Sequence, residues 1–210
     1  MIGVFHLAKI SSFLTQLKNA KRLIRMTIVG DGAVGKTTLV QAMLRKTTEY
    51  NHNHSGHQVV EDKKISRTPF MEIESWTYKD LVFQCYDLAG QRTPGAHPLD
   101  ILQESVLAYI DIYIFVFSID RYESFENLNN WLRLMNLESK FKHNNIGYIL
   151  VGNKIDLERN VSNALVNTLV GDGKFFHSYV ETSSIEPYIG IDLMLEEIVY
   201  MGKKLLNIYD

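Results

Sequence analysis

The stretch Gly30-Asp31-Gly32-Ala33-Val34-Gly35-Lys36-Thr37 decides the fold of this chain. It fits G-x-x-x-x-G-K-[ST], the pattern of a loop that wraps around phosphate groups. An apolar run, Leu23–Val29, precedes it and predicts a buried strand, and residues 38–44 after it predict a helix. Glycines let the backbone turn so that successive N–H groups point at an anion, and the positive end of the helix dipole adds to the attraction. The sequence therefore predicts a strand, a phosphate-binding loop and a helix in direct succession.

Each residue type in this loop has an expected role. Lys36 is predicted to reach the β- and γ-phosphates, and the Thr37 hydroxyl is predicted to bind Mg²⁺. The residues predicted to hold the nucleotide here are Gly32, Ala33, Val34, Gly35, Lys36, Thr37 and Thr38. The alternative is a glycine-rich turn without a ligand, which the correctly placed Lys-Thr pair disfavours.

Composition bounds the class of protein. The chain has 210 residues, 46% hydrophobic and 22% charged, which suits one domain over 22–210 after an N-terminal segment, 1–21. The net charge of −2 predicts no general attraction to nucleic acid. Cys85 is the only cysteine, so no intramolecular disulfide forms, and a cytoplasmic location is expected.

The order of the predicted elements indicates the architecture. After the loop and its helix, residues 46–67 are polar and predict a long loop. Two strands at 70–78 and 81–86 form an antiparallel hairpin, and strands at 112–118, 146–151 and 175–180 alternate with helices at 99–109, 122–139, 162–170 and 190–206. This alternation predicts an α/β doubly wound sheet of six strands, mostly parallel with one antiparallel strand.

A second chemical segment follows the strand at 81–86. Asp87 closes an apolar strand, where a carboxylate needs a cation or a donor, and Mg²⁺ opposite Thr37 is the expected cation. Gly90 is predicted to offer its N–H to a terminal phosphate, and Gln91 to orient an attacking water.

A third segment supplies selectivity for a base. In Asn153-Lys154-Ile155-Asp156, the Asp156 carboxylate is predicted to accept two hydrogen bonds from guanine, a pair that adenine does not offer. Asn153 is expected to brace the phosphate loop, and the Lys154 stem to cover the base.

Together these segments resemble the small GTPases of the Ras superfamily, over about residues 22–206. The matching stretches are 30–37, 87–91, 153–156 and 181–184. The resemblance implies binding of GTP and GDP with Mg²⁺, contacts from Ser183 and Ser184 to the base, and two mobile switch regions. It also implies three kinds of protein partner, which are an exchange factor, a GTPase-activating protein and effectors.

Two features are similar to other branches of that superfamily. The 19 residues from Thr68 to Asp87 resemble the spacing in the Arf family, and residues 68–70 with Trp76 and 96–98 resemble Roco-type domains. By this spacing, Thr68 is the predicted first-switch threonine that binds Mg²⁺ and senses the γ-phosphate. Tyr50 is an additional candidate to stack on the guanine.

The N-terminal segment predicts an amphipathic helix with one apolar face, made of Ile2, Leu7, Ile10, Phe13, Leu14 and Leu17. Two alternatives are open for that face. It packs on its own domain, or it binds a partner or, reversibly, a membrane surface.

Three functions compete at this point. The first is a switch that hydrolyses GTP slowly, with Lys36 and Gln91 as the catalytic residues. The second is a GTP-dependent binding module with negligible hydrolysis, similar to a Roco interaction domain. The third is another phosphate-loop enzyme, such as a kinase, which Asp156 disfavours because that carboxylate would have no guanine to bind.

Overall fold

The computed structural model describes residues 22–55, 71–88, 109–134 and 146–208. In these residues, strands and helices alternate as the sequence predicted. The strands are β1 (Leu23–Val29), β2 (Met71–Tyr78), β3 (Leu81–Leu88), β4 (Ile112–Ser118), β5 (Gly147–Asn153) and β6 (Ser178–Thr182). The helices are α1 (Lys36–Ser55), α2 (Tyr122–Glu126), α3 (Leu128–Leu134), α4 (Asn163–Asn167) and α5 (Ile191–Leu205).

The six strands form one sheet in the order β2-β3-β1-β4-β5-β6. All neighbouring strands are parallel except β2 and β3, which are antiparallel. Lys79 and Asp80 join this pair with φ angles of 45° and 64°, because a two-residue hairpin whose twist matches its strands needs positive φ at both positions. The predicted α/β sheet with a single antiparallel strand is therefore confirmed.

Helices cover both faces of the sheet. On one face, α1 and α5 pack against a core that includes Ile24, Met26, Ile114 and Val151. On the other face, α3 and α4 pack against a second core built on Phe115. Every residue of β4 and of β5 is buried, which explains why these two segments are almost entirely apolar up to their last residues, Ser118 and Asn153, and do not alternate.

The prediction of a loop over 46–67 is wrong for its first ten residues, because α1 continues to Ser55. The hydroxyls of Thr47 and Thr48 bond to carbonyls of the preceding turn, so these polar side chains find partners within the helix. Tyr50 packs edge-on against Tyr78 of β2, with 4.8 Å between the ring centroids. Contact with the sheet thus outweighs the lack of apolar periodicity in this part of α1.

Other boundaries shift by smaller amounts. Within 122–134, the described part of the single helix predicted for 122–139, there are two short helices, since α2 ends at Glu126 and α3 begins at Leu128 after the cap residue Asn127. Strand β6 begins at Ser178, later than the predicted 175, and Phe176 instead makes an isolated bridge to Val170. The predicted helices at 1–21 and 99–109, apart from Tyr109, lie outside the described residues. Within the described part of the chain, no helix is long and apolar enough to cross a membrane.

Candidate functional site

The loop between β1 and α1 has the backbone of an anion-binding concavity. Gly30, Ala33 and Gly35 have φ angles of 146°, 63° and 95°. Alternation between left-handed and other conformations turns successive N–H groups to one side, which is the geometry of an anion nest. A side chain at Gly30 would place its Cβ 2.1 Å from the carbonyl oxygen of Val116, so only glycine fits there. Ala33 holds a conformation that costs a non-glycine residue about 1–2 kcal/mol, and strain of this kind is common at binding sites.

Lys36, the first residue of α1, folds its side chain back over this loop. Its Nζ donates to the carbonyl oxygens of Gly30 at 2.9 Å and Asp31 at 3.0 Å. Burial lowers the pKa of Lys36 to about 8, while the charges of Asp87 and Asp31 act in the opposite direction. The ammonium group therefore lies in the concavity, bonded to neutral carbonyls that an anion would replace.

Thr37, at the start of α1, and Asp87, near the end of β3, bring two oxygen atoms together. The Thr37 hydroxyl donates to Asp87 Oδ2 at 2.5 Å, and Asp87 is almost completely buried at the end of β3. A hydroxyl and a carboxylate are oxygen donors of the kind that Mg²⁺ prefers. The donor set thus fits the metal role that the sequence predicted for both residues.

Asn153 connects the phosphate loop to the segment after β6. Its Nδ2 donates to the carbonyl oxygen of Val34 at 2.9 Å. Its Oδ1 accepts from the hydroxyls of Thr182 at 3.0 Å and Ser184 at 2.8 Å. Asn153 is buried and uses both ends of its amide, so the predicted brace of the loop is present and extends to a second segment.

The residues predicted to bind a base lie together beyond Asn153. Asp156 is exposed, and its Oδ1 accepts from the Ser183 hydroxyl at 2.6 Å. Lys154 has a φ of 67°, and the next N–H, of Ile155, donates to the carbonyl oxygen of Thr182. The two segments thus form one surface at the carboxyl ends of β5 and β6.

Two further anchors of the phosphate loop were missed by sequence reasoning. The Asp31 carboxylate accepts from Asn127 Nδ2 and from Trp131 Nε1, each at 2.8 Å. Arg121 Nη2 donates to the carbonyl oxygen of Gly32 at 2.8 Å. Trp131 is buried in the core, and no motif signals that a residue 100 positions away binds Asp31.

Comparison with known proteins identifies the family. A family model described as "Ras family" matches residues 25–204, which covers the strands and helices described above except for the first two residues of β1 and the last residue of α5. The chain belongs to the Ras family.

The relatives of this Ras-family chain are distant. It is 30% identical over 189 residues to Ras-related protein RABA5c of Arabidopsis thaliana, an alignment that covers 88% of the chain and 80% of the relative. It is 33% identical over 170 residues to Ras-related protein RABA5d of the same plant, covering 78% and 67%. Ras-related protein Rab-28 of Caenorhabditis elegans is 27% identical over 137 residues, and the alignment spans 65% of the chain and half of the length of that relative.

Of the other predicted residues of this Ras-family chain, Tyr50 does not join the site, and three fall outside the part that the structure describes. Thr68, Gly90 and Gln91 lie outside the described residues. The prediction for Tyr50 is wrong, because it lies 14 residues along α1 from Lys36, a rise of about 21 Å, and packs on His54 and Tyr78. Among the described residues no group of three or more His, Cys, Asp or Glu side chains could hold a metal ion.

Proposed function

We propose that this small GTPase binds GTP and GDP with Mg²⁺, hydrolyses GTP slowly, and alternates between two partner-binding states. The observation that carries the proposal is the double contact of Asn153. Its amide bonds to Val34, in the loop proposed to bind phosphate, and to Ser184, in the segment proposed to bind a base, so one buried side chain joins the two segments. A nucleotide has both a phosphate and a base, and this connection supports simultaneous contact with both.

Selectivity for guanine is assigned to Asp156. Its carboxylate is exposed and is oriented by the Ser183 hydroxyl. An ionised carboxylate only accepts hydrogen bonds, so it pairs with the N1–H and the amino group of guanine. Adenine does not present that pair of donors, and ATP is expected to bind weakly.

For hydrolysis, the chain's own residues hold the phosphates and stabilise charge. Lys36 would exchange the carbonyls of Gly30 and Asp31 for phosphate oxygens, and bonds to a charged acceptor are stronger. Thr37 and Asp87, with the predicted Thr68, would hold Mg²⁺, which neutralises charge that develops on the phosphates. Gly90 and Gln91 are proposed to contact the terminal phosphate and to orient the attacking water, respectively.

A nucleotide switch of this kind acts through protein partners. We assign it an exchange factor, a GTPase-activating protein and effectors as partner classes, in a cytoplasmic location. The apolar face of residues 1–21 adds a reversible contact with a membrane surface as a further proposal.

The test of nucleotide binding is the variant Asp156→Asn, with Asp172→Asn as a matched control because Asp172 is another exposed carboxylate after β5. Asp156→Asn is expected to weaken GDP binding and to admit xanthosine diphosphate, whose C2 oxygen accepts from the amide. The control is expected to bind GDP as the wild type does. Equal affinity of the wild type for ATP and GTP would overturn the guanine assignment.

The test of hydrolysis is a single-turnover assay on the wild type and on Gln91→Leu. An intrinsic rate on the order of 10⁻⁴ to 10⁻² s⁻¹ is expected, by analogy with related enzymes that act without an activating protein. Gln91→Leu is expected to slow this rate and to leave GTP affinity nearly unchanged. No measurable turnover by the wild type would favour the binding module instead.

A further inference from the structure

We propose that Arg121 is a phosphate-binding cation of this site and contacts the outermost phosphate of a bound nucleoside triphosphate. The inference rests on the proposed function and adds a second cationic side chain to Lys36. It predicts that this residue, which lies outside every sequence motif of the site, contributes more to the binding of a triphosphate than to that of a diphosphate.

The backbone around Arg121 is held firmly. Arg121 follows β4, and its N–H donates to the carbonyl oxygen of Ser118 at 3.1 Å. Its own carbonyl oxygen accepts from the Ser124 hydroxyl at 2.7 Å and from the Ser124 N–H at 3.1 Å. Ser124 is buried, so these bonds are shielded from water. The Cα of Arg121 is therefore fixed, and only its side chain is free to reorient.

That side chain lies against the phosphate loop. Arg121 Nη2 donates to Gly32, while Lys36 Nζ donates to Gly30 and Asp31. Three consecutive carbonyls of the loop thus accept from two cationic groups. Neutral carbonyls are weaker acceptors than phosphate oxygens, so both side chains would form stronger hydrogen bonds with a phosphate group that enters between them.

The charge of Arg121 has no carboxylate partner in the part of the chain that the structure describes. The four ion pairs found there involve other residues. The neighbouring carboxylate, Asp31, accepts instead from the neutral donors Asn127 and Trp131. A guanidinium has five N–H donors in a planar fork, and the bond to Gly32 uses one, which leaves donors for two phosphate oxygens.

The position of Gly32 selects the outermost phosphate. The helix end at Lys36 and Thr37 is where a phosphate loop holds the inner phosphates, with the lysine reaching outward. Gly32 precedes that end by four residues, near the middle of the loop and away from the helix end that holds the inner phosphates. A diphosphate is therefore expected to miss most of the contact with Arg121.

The experiment compares Arg121→Gln and Arg121→Lys with the control Arg133→Gln, an exposed arginine of α3. Glutamine keeps an N–H donor for the Gly32 carbonyl but removes the charge, and lysine keeps a charge without the fork. Affinities for GDP and for a non-hydrolysable GTP analogue are measured by fluorescence titration at two salt concentrations, together with the thermal unfolding midpoint.

Arg121→Gln is expected to weaken binding of the GTP analogue about tenfold and binding of GDP by about twofold or less. Arg121→Lys is expected to keep part of the affinity for the GTP analogue that Arg121→Gln loses. The loss is expected to shrink at high salt, and Arg133→Gln to bind both nucleotides as the wild type does. An equal loss for GDP and the GTP analogue, or no loss for either, would overturn the role of Arg121 and leave the proposed function intact. Failure of the wild type to bind either nucleotide would overturn both.

Discussion

Removal of the Asn153 side chain should destabilise the protein more than any single surface change. Asn153→Ala breaks the bond to Val34 and the two bonds from Thr182 and Ser184. It also leaves the Thr182 hydroxyl, which is completely buried, without its acceptor. The matched control is Asn130→Ala, which removes one bond from an exposed amide of α3.

The expected loss of unfolding free energy in Asn153→Ala follows from the number of hydrogen bonds removed. A net contribution of about 1 kcal/mol for each bond gives about 3 kcal/mol, and the penalty for buried polar groups left unsatisfied raises it to about 4 kcal/mol. That is a large part of the roughly 5–15 kcal/mol by which such domains are stable. Asn130→Ala is expected to cost about 0.5 kcal/mol or less.

Urea unfolding of the nucleotide-free protein measures these free energies, and a double-mutant cycle with Thr182→Val tests the mechanism. Valine matches threonine in shape, so Thr182→Val should lower the free energy of unfolding by about 1 kcal/mol when Asn153 is present. In the Asn153→Ala background the same change should cost much less, which gives a coupling energy of about 1 kcal/mol. A cost for Asn153→Ala no larger than the control, or equal costs of Thr182→Val in both backgrounds, would refute the reasoning.

Three further predictions follow from other contacts. Gly190 and Gly173 have nearly equal φ angles of 74° and 73°, but a Cβ at Gly190 would lie 2.0 Å from a backbone oxygen and one at Gly173 would touch nothing. Gly173→Ala should thus cost about 1–2 kcal/mol and Gly190→Ala clearly more in urea unfolding, and equal costs would contradict the close approach. Burial lowers the pKa of His177 below its ordinary value of 6.5. Between the folded pKa and 6.5 the unfolded chain therefore binds a proton that the folded protein does not, and the free energy of unfolding falls as the pH falls. His177→Gln should remove this part of the pH dependence of stability, and an unchanged pH dependence would exclude His177 as its source. Trp131→Phe removes the donor to Asp31 and should cost about 2 kcal/mol of stability and weaken GDP binding, so unchanged GDP affinity would show that this anchor does not shape the loop.

The fold was predictable because its strongest signals are local. Apolar runs such as 112–118 are typical of strands buried on both faces, and the loop at 30–37 fixes the order of β1 and α1. The extent of α1 was not predictable in the same way. Its last ten residues are polar, and contacts with β2 through Tyr50 and Asn51, whose amide bonds to the Thr77 carbonyl, hold them in the helix.

The residues of the candidate site show the same contrast between local and long-range signals. Motif residues were found because their chemistry depends on spacing within one segment, as with Lys36 and Thr37 or Asn153 and Asp156. Arg121 was missed because its contact with Gly32 joins segments 89 residues apart, which the parallel pairing of β1 with β4 brings together. Sequence spacing contains no signal for such a pair.

The phosphate loop is held by side chains that follow two neighbouring strands, and this explains how it keeps a strained backbone. Asn153, at the end of β5, bonds to Val34, and Arg121, after β4, bonds to Gly32. These two bonded residues flank Ala33, whose left-handed conformation costs about 1–2 kcal/mol. Two bonds of about 1 kcal/mol each offset that cost, so the concavity is formed before a ligand arrives. A nucleotide then binds without spending its own binding energy on ordering the loop, which is the physical advantage of a preorganised site.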